Sequence, residues 1–243
     1  DRSPSRGLGD VYKRQLLHNA EHHQGRNLRL VKIVAHRGYS GKYPELSPLA
    51  FEKALELPIH GIECDIRLSS DGKVVVHHDP TVDRTTNGSG RVSRQTWEEL
   101  RRLDIGDGQR MLLFDELLDM LDGKNHHLYV ETKHPSGQGD ILEEQMVLRL
   151  RYAGLIDDPR IHMISFNHHA IRRMTALAPH VDRIYLRRDW ERHLNRSDFL
   201  LSQPTGLGMS ILRAKLQPDA IGAHGLPTYM WTCLLYTSDA ADE

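Results

Sequence analysis

Strand-like and helix-like segments alternate along most of this chain. Alternating or β-branched apolar runs predict strands at residues 31–35, 61–66, 73–77, 127–132, 160–165, 183–186 and 227–232. Apolar residues at three- and four-residue spacing predict helices at 47–57, 96–103, 114–121, 141–153, 169–178 and 218–224. Strands that alternate with helices indicate a parallel sheet with crossover helices.

The number of strands narrows the fold class further. Some seven strands within about 220 residues favour a TIM (β/α)8 barrel over a short open sheet. A doubly wound open sheet is the alternative, but no glycine-rich dinucleotide or phosphate-binding fingerprint is present. The predicted fold is therefore α/β, a TIM barrel truncated before its eighth strand.

The two ends of the chain lack the hydrophobic periodicity of the middle. Residues 1–15 and 233–243 resemble translated sequencing-adapter read-through, and we interpret both as non-native tails. Residues 16–232 then form the predicted domain. Because the natural N-terminus would be missing, a signal peptide stays open. A lone cysteine in this domain, Cys64, is compatible with the cytoplasmic location that we favour.

Composition removes several classes of function. The chain has 32 Lys+Arg and 33 Asp+Glu, a formal net charge of −1, which disfavours a nucleic-acid partner. No apolar run approaches the ~18–20 residues of a membrane span, so no stable membrane anchor is expected. The chain has 16 histidines, which draws attention to acid–base chemistry. The oligomeric state is left open.

Polar residues gather at the ends of the predicted strands, where barrel enzymes place their active sites. They are His36 and Arg37 after the first strand, Glu63 and Asp65 on the second, His78 after the third, and Glu131 and Lys133 at the end of the fourth. Because side chains alternate along a strand, Glu63 and Asp65 share one face. We expect all these side chains to converge at one end of the barrel.

The converging residue types point to phosphate chemistry. Three carboxylates from two strands suit a hard divalent cation, Mg²⁺ or Ca²⁺. Two histidines from separate strand ends can serve as a general acid and a general base. Arginine and lysine beside them can hold a phosphate group.

At this point the sequence resembles the glycerophosphodiester phosphodiesterases, a (β/α)8-barrel family. The family's spaced motifs stand here, in order, as His36-Arg37, Pro44-Glu45, Glu63-x-Asp65, His78-Asp79, Glu131-x-Lys133 and Trp231-Thr232. The resemblance spans residues 31–232. One departure is Leu46, which stands where the family usually has Asn.

The resemblance implies a role for each matching residue. Glu63, Asp65 and Glu131 would bind one divalent cation, His36 and His78 would form the acid–base pair, Arg37 and Lys133 would contact the phosphate, and Glu45 and Trp231 would complete the substrate site. The implied reaction is hydrolysis of a small-molecule glycerophosphodiester to glycerol 3-phosphate and an alcohol.

Two other functions remain open at this stage. One is a lysophospholipase D-type phosphodiesterase, which would need an apolar groove beside the site. The polar connection at residues 80–110 disfavours it. The other is a non-catalytic module that binds phosphodiesters.

Overall fold

The computed structural model describes residues 31–139, 141–191 and 196–232. The fold described below belongs to the unit that begins at Ile33. The predicted adapter-like tails, residues 1–15 and 233–243, lie outside the described residues.

A single sheet forms the centre of the described structure. Its strands are β1 (Val34–His36), β2 (Gly61–Leu68), β3 (Val74–Val76), β4 (His127–Thr132), β5 (Ile161–Ser165), β6 (Asp182–Leu186), β7 (Gly206–Ser210) and β8 (Thr228–Trp231). Seven of them pair in parallel in the order β1-β2-β4-β5-β6-β7-β8. The short strand β3 pairs antiparallel with β2 and lies outside this parallel path.

Helices connect the parallel strands. They are α1 (Pro48–Leu55), α2 (Trp97–Leu100), α3 (Phe114–Asp119), α4 (Ile141–Tyr152), α5 (His168–Leu177), α6 (Arg196–Ser202) and α7 (Ile211–Leu216). Three short 3₁₀ turns, Val92–Arg94, Pro218–Ala220 and Ala223–Gly225, complete the described elements. Local sequence explains how some of them begin. At α1, for example, the Ser47 side chain accepts a hydrogen bond from the backbone N–H of Ala50.

The predicted fold class, an α/β TIM (β/α)8 barrel truncated before its eighth strand, is confirmed, but the strands that make up the parallel sheet differ from those predicted. We predicted residues 73–77 as a barrel strand, whereas β3 forms an antiparallel hairpin with β2. We did not predict β7, whose Gly-Leu-Gly-Met-Ser sequence has no strand-like alternation. A Cβ at Gly208 would lie 2.3 Å from a Leu186 methyl carbon. Close packing of β7 against its neighbours therefore explains this glycine.

Strand β2 separates the apolar core from the polar interior. Its Ile62, Cys64 and Ile66 are fully buried and belong to the apolar cluster shared with the helices. Its Glu63 and Asp65 point to the opposite face because side chains alternate along a strand. The pairing of Asp65 with Glu131 on β4 then brings acids from two strands together.

Candidate active site

Three carboxylates form the centre of the candidate site, and we call Glu63, Asp65 and Glu131 the acid triad. A ligand oxygen from each lies within 4.8 Å of the others, and all three residues are buried. Among the described residues they are the one group of three or more His, Cys, Asp or Glu side chains with this spacing. The predicted convergence of these three residues is thus present in the structure.

The acid triad has the chemistry of a cation site. Within the described part of the chain, Glu63 Oε1 and both carboxylate oxygens of Asp65 are buried and accept no hydrogen bond. Burial and the neighbouring charges of Asp65 and Glu131 raise the pKa of Glu63 well above its usual value. Buried anions of like charge are costly without a counter-ion. A hard divalent cation, which prefers oxygen ligands, fits this arrangement.

Two cations already lie against the acid triad. The Nζ atom of Lys133 is 2.7 Å from Glu131 Oε1 and 3.2 Å from Asp65 Oδ1. The Nε atom of Arg37 is 3.4 Å from Asp65 Oδ2. Burial opposes the charge of Lys133, but Asp65 and Glu131 raise the pKa of its ammonium group above the usual value. Both side chains line the same cavity, where an anion would find them.

The backbone at Arg37 is held in an uncommon conformation. Its φ is +60°, in the left-handed region that a non-glycine residue rarely adopts. The Arg37 N–H donates a hydrogen bond of 2.9 Å to Glu63 Oε2, which offsets part of the cost. Strained residues held by their surroundings are concentrated at functional sites. This turn therefore ties β1 to the acid triad.

Both predicted catalytic histidines line a cavity of about 180 Å³ beside the acid triad. The Nε2 atom of His36 is 3.9 Å from Glu63 Oε2. Burial, followed by the charge of Arg37, lowers the pKa of His36 to about 4. Burial also lowers the pKa of His78, whose Nδ1 lies 2.7 Å from Asp79 Oδ1. Both rings are therefore neutral near pH 7 in the absence of a ligand.

Of the remaining predicted residues, Trp231 lines this cavity and Glu45 lines another one. Trp231 on β8 packs edge-to-face on Phe166, with ring centroids 5.1 Å apart. Glu45 lies outside the acid triad, between two arginines. Its Oε1 accepts a hydrogen bond of 3.0 Å from Arg37 and one of 2.7 Å from Arg84. Burial opposes ionisation of Glu45, but these arginines lower its pKa to about 2.

Leu46, the departure from the family pattern, is buried and adopts a φ of +59°. Its side chain packs in the apolar core, and its backbone N–H donates to the Arg37 carbonyl at 3.1 Å. The left-handed region favours Asn over a bulky apolar residue. The backbone at this position thus retains the conformation that suits Asn, while the side chain supplies no polar group.

Sequence reasoning assigned no role to three residues that hold the site together. They are Arg67, Asp79 and Arg84. Arg67 follows Glu63 and Asp65 at the same period of two, and its Nε donates to the His78 carbonyl at 2.9 Å. That period was the signal that Arg67 faces the site. Asp79 and Arg84 lie in two segments that resemble the family, His78-Asp79 and Asp83-Arg84-Thr85-Thr86, but only the structure shows that they are bonded to each other.

Residues 36–241 match the glycerophosphoryl diester phosphodiesterase family. The chain belongs to this family. The family and the enzyme class that the motifs predicted, a phosphoric diester hydrolase, are confirmed.

Relatives of the family give the same picture. A glycerophosphodiester phosphodiesterase from Caldanaerobacter subterraneus is 36% identical over 156 residues, which cover 61% of this chain and 63% of the relative. The "Probable glycerophosphodiester phosphodiesterase 1" of Mycobacterium tuberculosis is 33% identical over 221 residues, covering 82% of this chain and 80% of that protein. The chain thus spans about two thirds to four fifths of their lengths.

Solved structures of the family superpose on the chain. A phosphodiesterase from Oleispira antarctica, in complex with the product sn-glycerol-3-phosphate, has a TM-score of 0.75 at 25% identity and covers 84% of this chain and 85% of that chain. A glycerophosphodiester phosphodiesterase from Agrobacterium tumefaciens has a TM-score of 0.70 at 25% identity, with 88% and 93% covered. In the described part of our protein, no helix is long and apolar enough to cross a membrane. The cytoplasmic location stays a prediction.

Proposed function

We propose that this protein hydrolyses glycerophosphodiesters to glycerol 3-phosphate and an alcohol, with one divalent cation at the acid triad and His36 and His78 as its acid–base pair. The observation that carries the proposal is convergence. Four segments, the ends of β1, β2 and β4 and the loop after β3, bring two histidines, two cations and two buried acids around one cavity of about 180 Å³, and Asp65 completes the acid triad beside it. A relative's complex with sn-glycerol-3-phosphate supports this choice of substrate.

The acid triad would hold the cation through carboxylate oxygens, and either Mg²⁺ or Ca²⁺ suits such ligands. When bound, the cation supplies a Lewis acid that stabilises negative charge on the reacting phosphate. The remaining steps belong to the side chains around it. Arg37 and Lys133 line the cavity as cations and would orient the phosphate oxygens, the arginine through its planar fork.

The two histidines would move the protons. One imidazole in its neutral form can accept a proton from the attacking water as its oxygen bonds to phosphorus, and the other, once protonated, can donate a proton to the departing alkoxide as the phosphorus–oxygen ester bond breaks. His78 has a partner suited to the charged state, because the Asp79 carboxylate contacts its Nδ1 and stabilises an imidazolium. Positioned acid–base groups of this kind contribute about a hundredfold to ten-thousandfold in rate.

A lysolipid is the second candidate substrate, and one feature of the cavity favours it. Part of the cavity lining is apolar or aromatic. It consists of Ile164, Phe166, Leu186, Tyr229 and Trp231. Such a lining accommodates the carbon skeleton of glycerol and also the first part of an acyl chain. A lysophospholipase D activity would use the same acids and histidines on the larger substrate.

The test is release of glycerol 3-phosphate from glycerophosphocholine with Mg²⁺, with Ca²⁺ and with EDTA. Lysophosphatidylcholine is the parallel substrate. We expect cation-dependent release that falls by at least about a hundredfold in His36→Ala and in Glu63→Ala. His180→Ala is the matched control, because this exposed histidine contacts Asp157 and the Ile156 carbonyl, away from the site.

Each outcome distinguishes the candidates. Release from glycerophosphocholine alone supports the proposal as stated, and preferential cleavage of the lysolipid replaces it with the second candidate. A folded protein that binds the cation and releases nothing from either substrate contradicts both activities. That result would favour a non-catalytic module that binds phosphodiesters.

A further inference from the structure

A continuous chain of ion pairs runs along the edge of the site, with Arg84 at its centre. Arg84 forms a fork on Glu45, with Nη1 2.9 Å from Oε2 and Nη2 2.7 Å from Oε1. The Nε atom of Arg84 donates to Asp79 Oδ2 at 2.5 Å. At one end of this series of ion pairs Glu45 accepts a hydrogen bond from Arg37, and at the other end Asp79 contacts His78.

Asp79 determines which nitrogen of His78 faces the reaction. An ionised carboxylate is an acceptor only, so His78 Nδ1 carries the hydrogen in this contact. The Nε2 atom is then the nitrogen that exchanges a proton with a substrate. Because Arg84 bonds the other oxygen of Asp79, it fixes the carboxylate plane against which the imidazole is aligned.

We propose that Arg84 is a positioning residue for the acid–base step, which orients His78 through Asp79, while its fork on Glu45 anchors the guanidinium. The proposal rests on the proposed function, because it assumes that His78 transfers a proton. Arg84 is not among the residues that line the cavity of about 180 Å³. With Glu45 it lines another cavity, of about 710 Å³. Its effect on the acid–base step would pass through Asp79, which it holds against His78.

Stability alone does not account for this arrangement. The Arg84 side chain is 50% exposed, and exposed ion pairs contribute little to folding stability. What the fork provides is geometry, because a planar guanidinium fixes two carboxylates at once and a lysine ammonium does not. The connection also joins two loops that are 39 residues apart in the sequence.

The experiment compares Arg84→Met and Arg84→Lys with Asp79→Asn and with the double variant Arg84→Met/Asp79→Asn. Measurements are kcat and KM with the cation bound, the melting temperature, and the titration of His78 by NMR. The matched control is Arg102→Met, which removes another exposed arginine paired with a glutamate, Glu98.

We expect Arg84→Met to lower kcat about tenfold to a hundredfold, with little change in KM or melting temperature. The double variant loses no more than Asp79→Asn alone, because both changes break one connection. Lysine rescues little, since it lacks the fork. The titration midpoint of His78 rises in Arg84→Met, because a nearby cation has been removed while Asp65, Lys133 and Arg37 still act on the ring.

Two results would overturn the proposal. One is an Arg84→Met enzyme with the kcat and the His78 titration of the parent. The other is a loss of kcat that adds to that of Asp79→Asn or follows a fall in melting temperature. If the parent protein itself releases no product, the proposed function fails separately. The His78 titration then decides the positioning role, and an unchanged midpoint in Arg84→Met rejects it.

Discussion

Strands β2 and β4 lie beside two clusters of ionisable residues, one at each end of the barrel interior. The acid triad lies toward their C-terminal ends. At the other end, about 13 Å away at the rise of a strand, His127 bonds to His162, which bonds in turn to Asp182. We call these three residues the floor relay.

The two clusters differ in how their polar atoms are satisfied. In the floor relay, His127 Nδ1 is 2.7 Å from His162 Nε2, and His162 Nδ1 is 3.0 Å from Asp182 Oδ2. In the acid triad, three buried carboxylate oxygens accept no hydrogen bond from the described residues. Buried polar groups that satisfy one another are typical of structure, whereas carboxylate oxygens buried without a hydrogen bond call for a ligand besides the ion pairs with Lys133 and Arg37. This difference in hydrogen bonding distinguishes a binding centre from a structural one.

The largest expected effect is on catalysis. Glu63→Gln should lower kcat/KM by about a thousandfold, because the cation's charge stabilisation is worth several kcal/mol and about 1.4 kcal/mol corresponds to tenfold. Asp182→Asn makes the same chemical change in the floor relay and should leave kcat/KM within about twofold of the parent. Steady-state kinetics on both variants checks the contrast. Equal losses in the two would contradict it.

The second effect is on stability when a cation is added. A cation at about a hundred times its dissociation constant stabilises the folded state by about 2.7 kcal/mol. We therefore expect Mg²⁺ or Ca²⁺ to raise the melting temperature of the parent protein and of Asp182→Asn. Asp65→Asn should lose most of this increase. An increase that survives in Asp65→Asn would place the cation elsewhere.

Much of the site could be predicted because one strand carries a strong local pattern. The alternation in β2 puts Glu63 and Asp65 on one face. The same alternation puts Ile62, Cys64 and Ile66 on the opposite face, in the apolar core. Parallel pairing with β4 then brings Glu131 alongside. This part of the site depends on short-range pattern and on a rule that holds for every parallel barrel.

The parts that could not be predicted depend on distant partners. Strand β7 has two glycines and no β-branched residue, and it is a strand because β6 and β8 pair with it on both sides. The hairpin of β2 and β3 had a local signal, the Asp71-Gly72 turn with Gly72 at φ +75°. The apolar residues of β3 did not indicate that this strand pairs antiparallel with β2. The contact of Arg84 with Glu45 had no local signal, because the two residues are 39 positions apart.

The third prediction concerns pH and the acid triad without a cation. Burial raises the pKa of Glu131 to about 7, although Lys133 opposes the shift. The folded protein therefore keeps a proton that the unfolded chain loses between pH ~4.5 and ~7, so the free energy of unfolding falls as pH rises through this window.

At lower pH the free energy of unfolding changes with pH in the opposite direction. Despite burial, hydrogen bonds from Arg84 lower the pKa values of Glu45 and Asp79 to about 2, and the stability that they contribute is lost as pH falls from ~4 toward ~2.

Urea denaturation from pH 4.5 to 8 in EDTA measures the upper window. Glu131→Gln should reduce the fall, part of which belongs to Glu63 because its pKa is also raised, and saturating Mg²⁺ or Ca²⁺ should flatten the fall in the parent. Glu116→Gln is the control, since this glutamate caps α3 on the surface by accepting from the Leu113 N–H. A slope that Glu131→Gln leaves unchanged would assign the proton to another group.

The smallest effect is expected in the floor relay. His127→Gln removes the partner of His162 Nε2, and the loss of one net hydrogen bond costs about 1 kcal/mol. The ring of Tyr129 stacks on His162 with centroids 4.4 Å apart and should hold that imidazole in place. Urea denaturation should therefore show a modest loss of stability while kcat stays at the parent value, with His180→Gln as the exposed control. A protein of unchanged stability and reduced kcat would mean that the relay acts in the reaction, because Tyr129 and Tyr229 connect it by ring contact to the cavity.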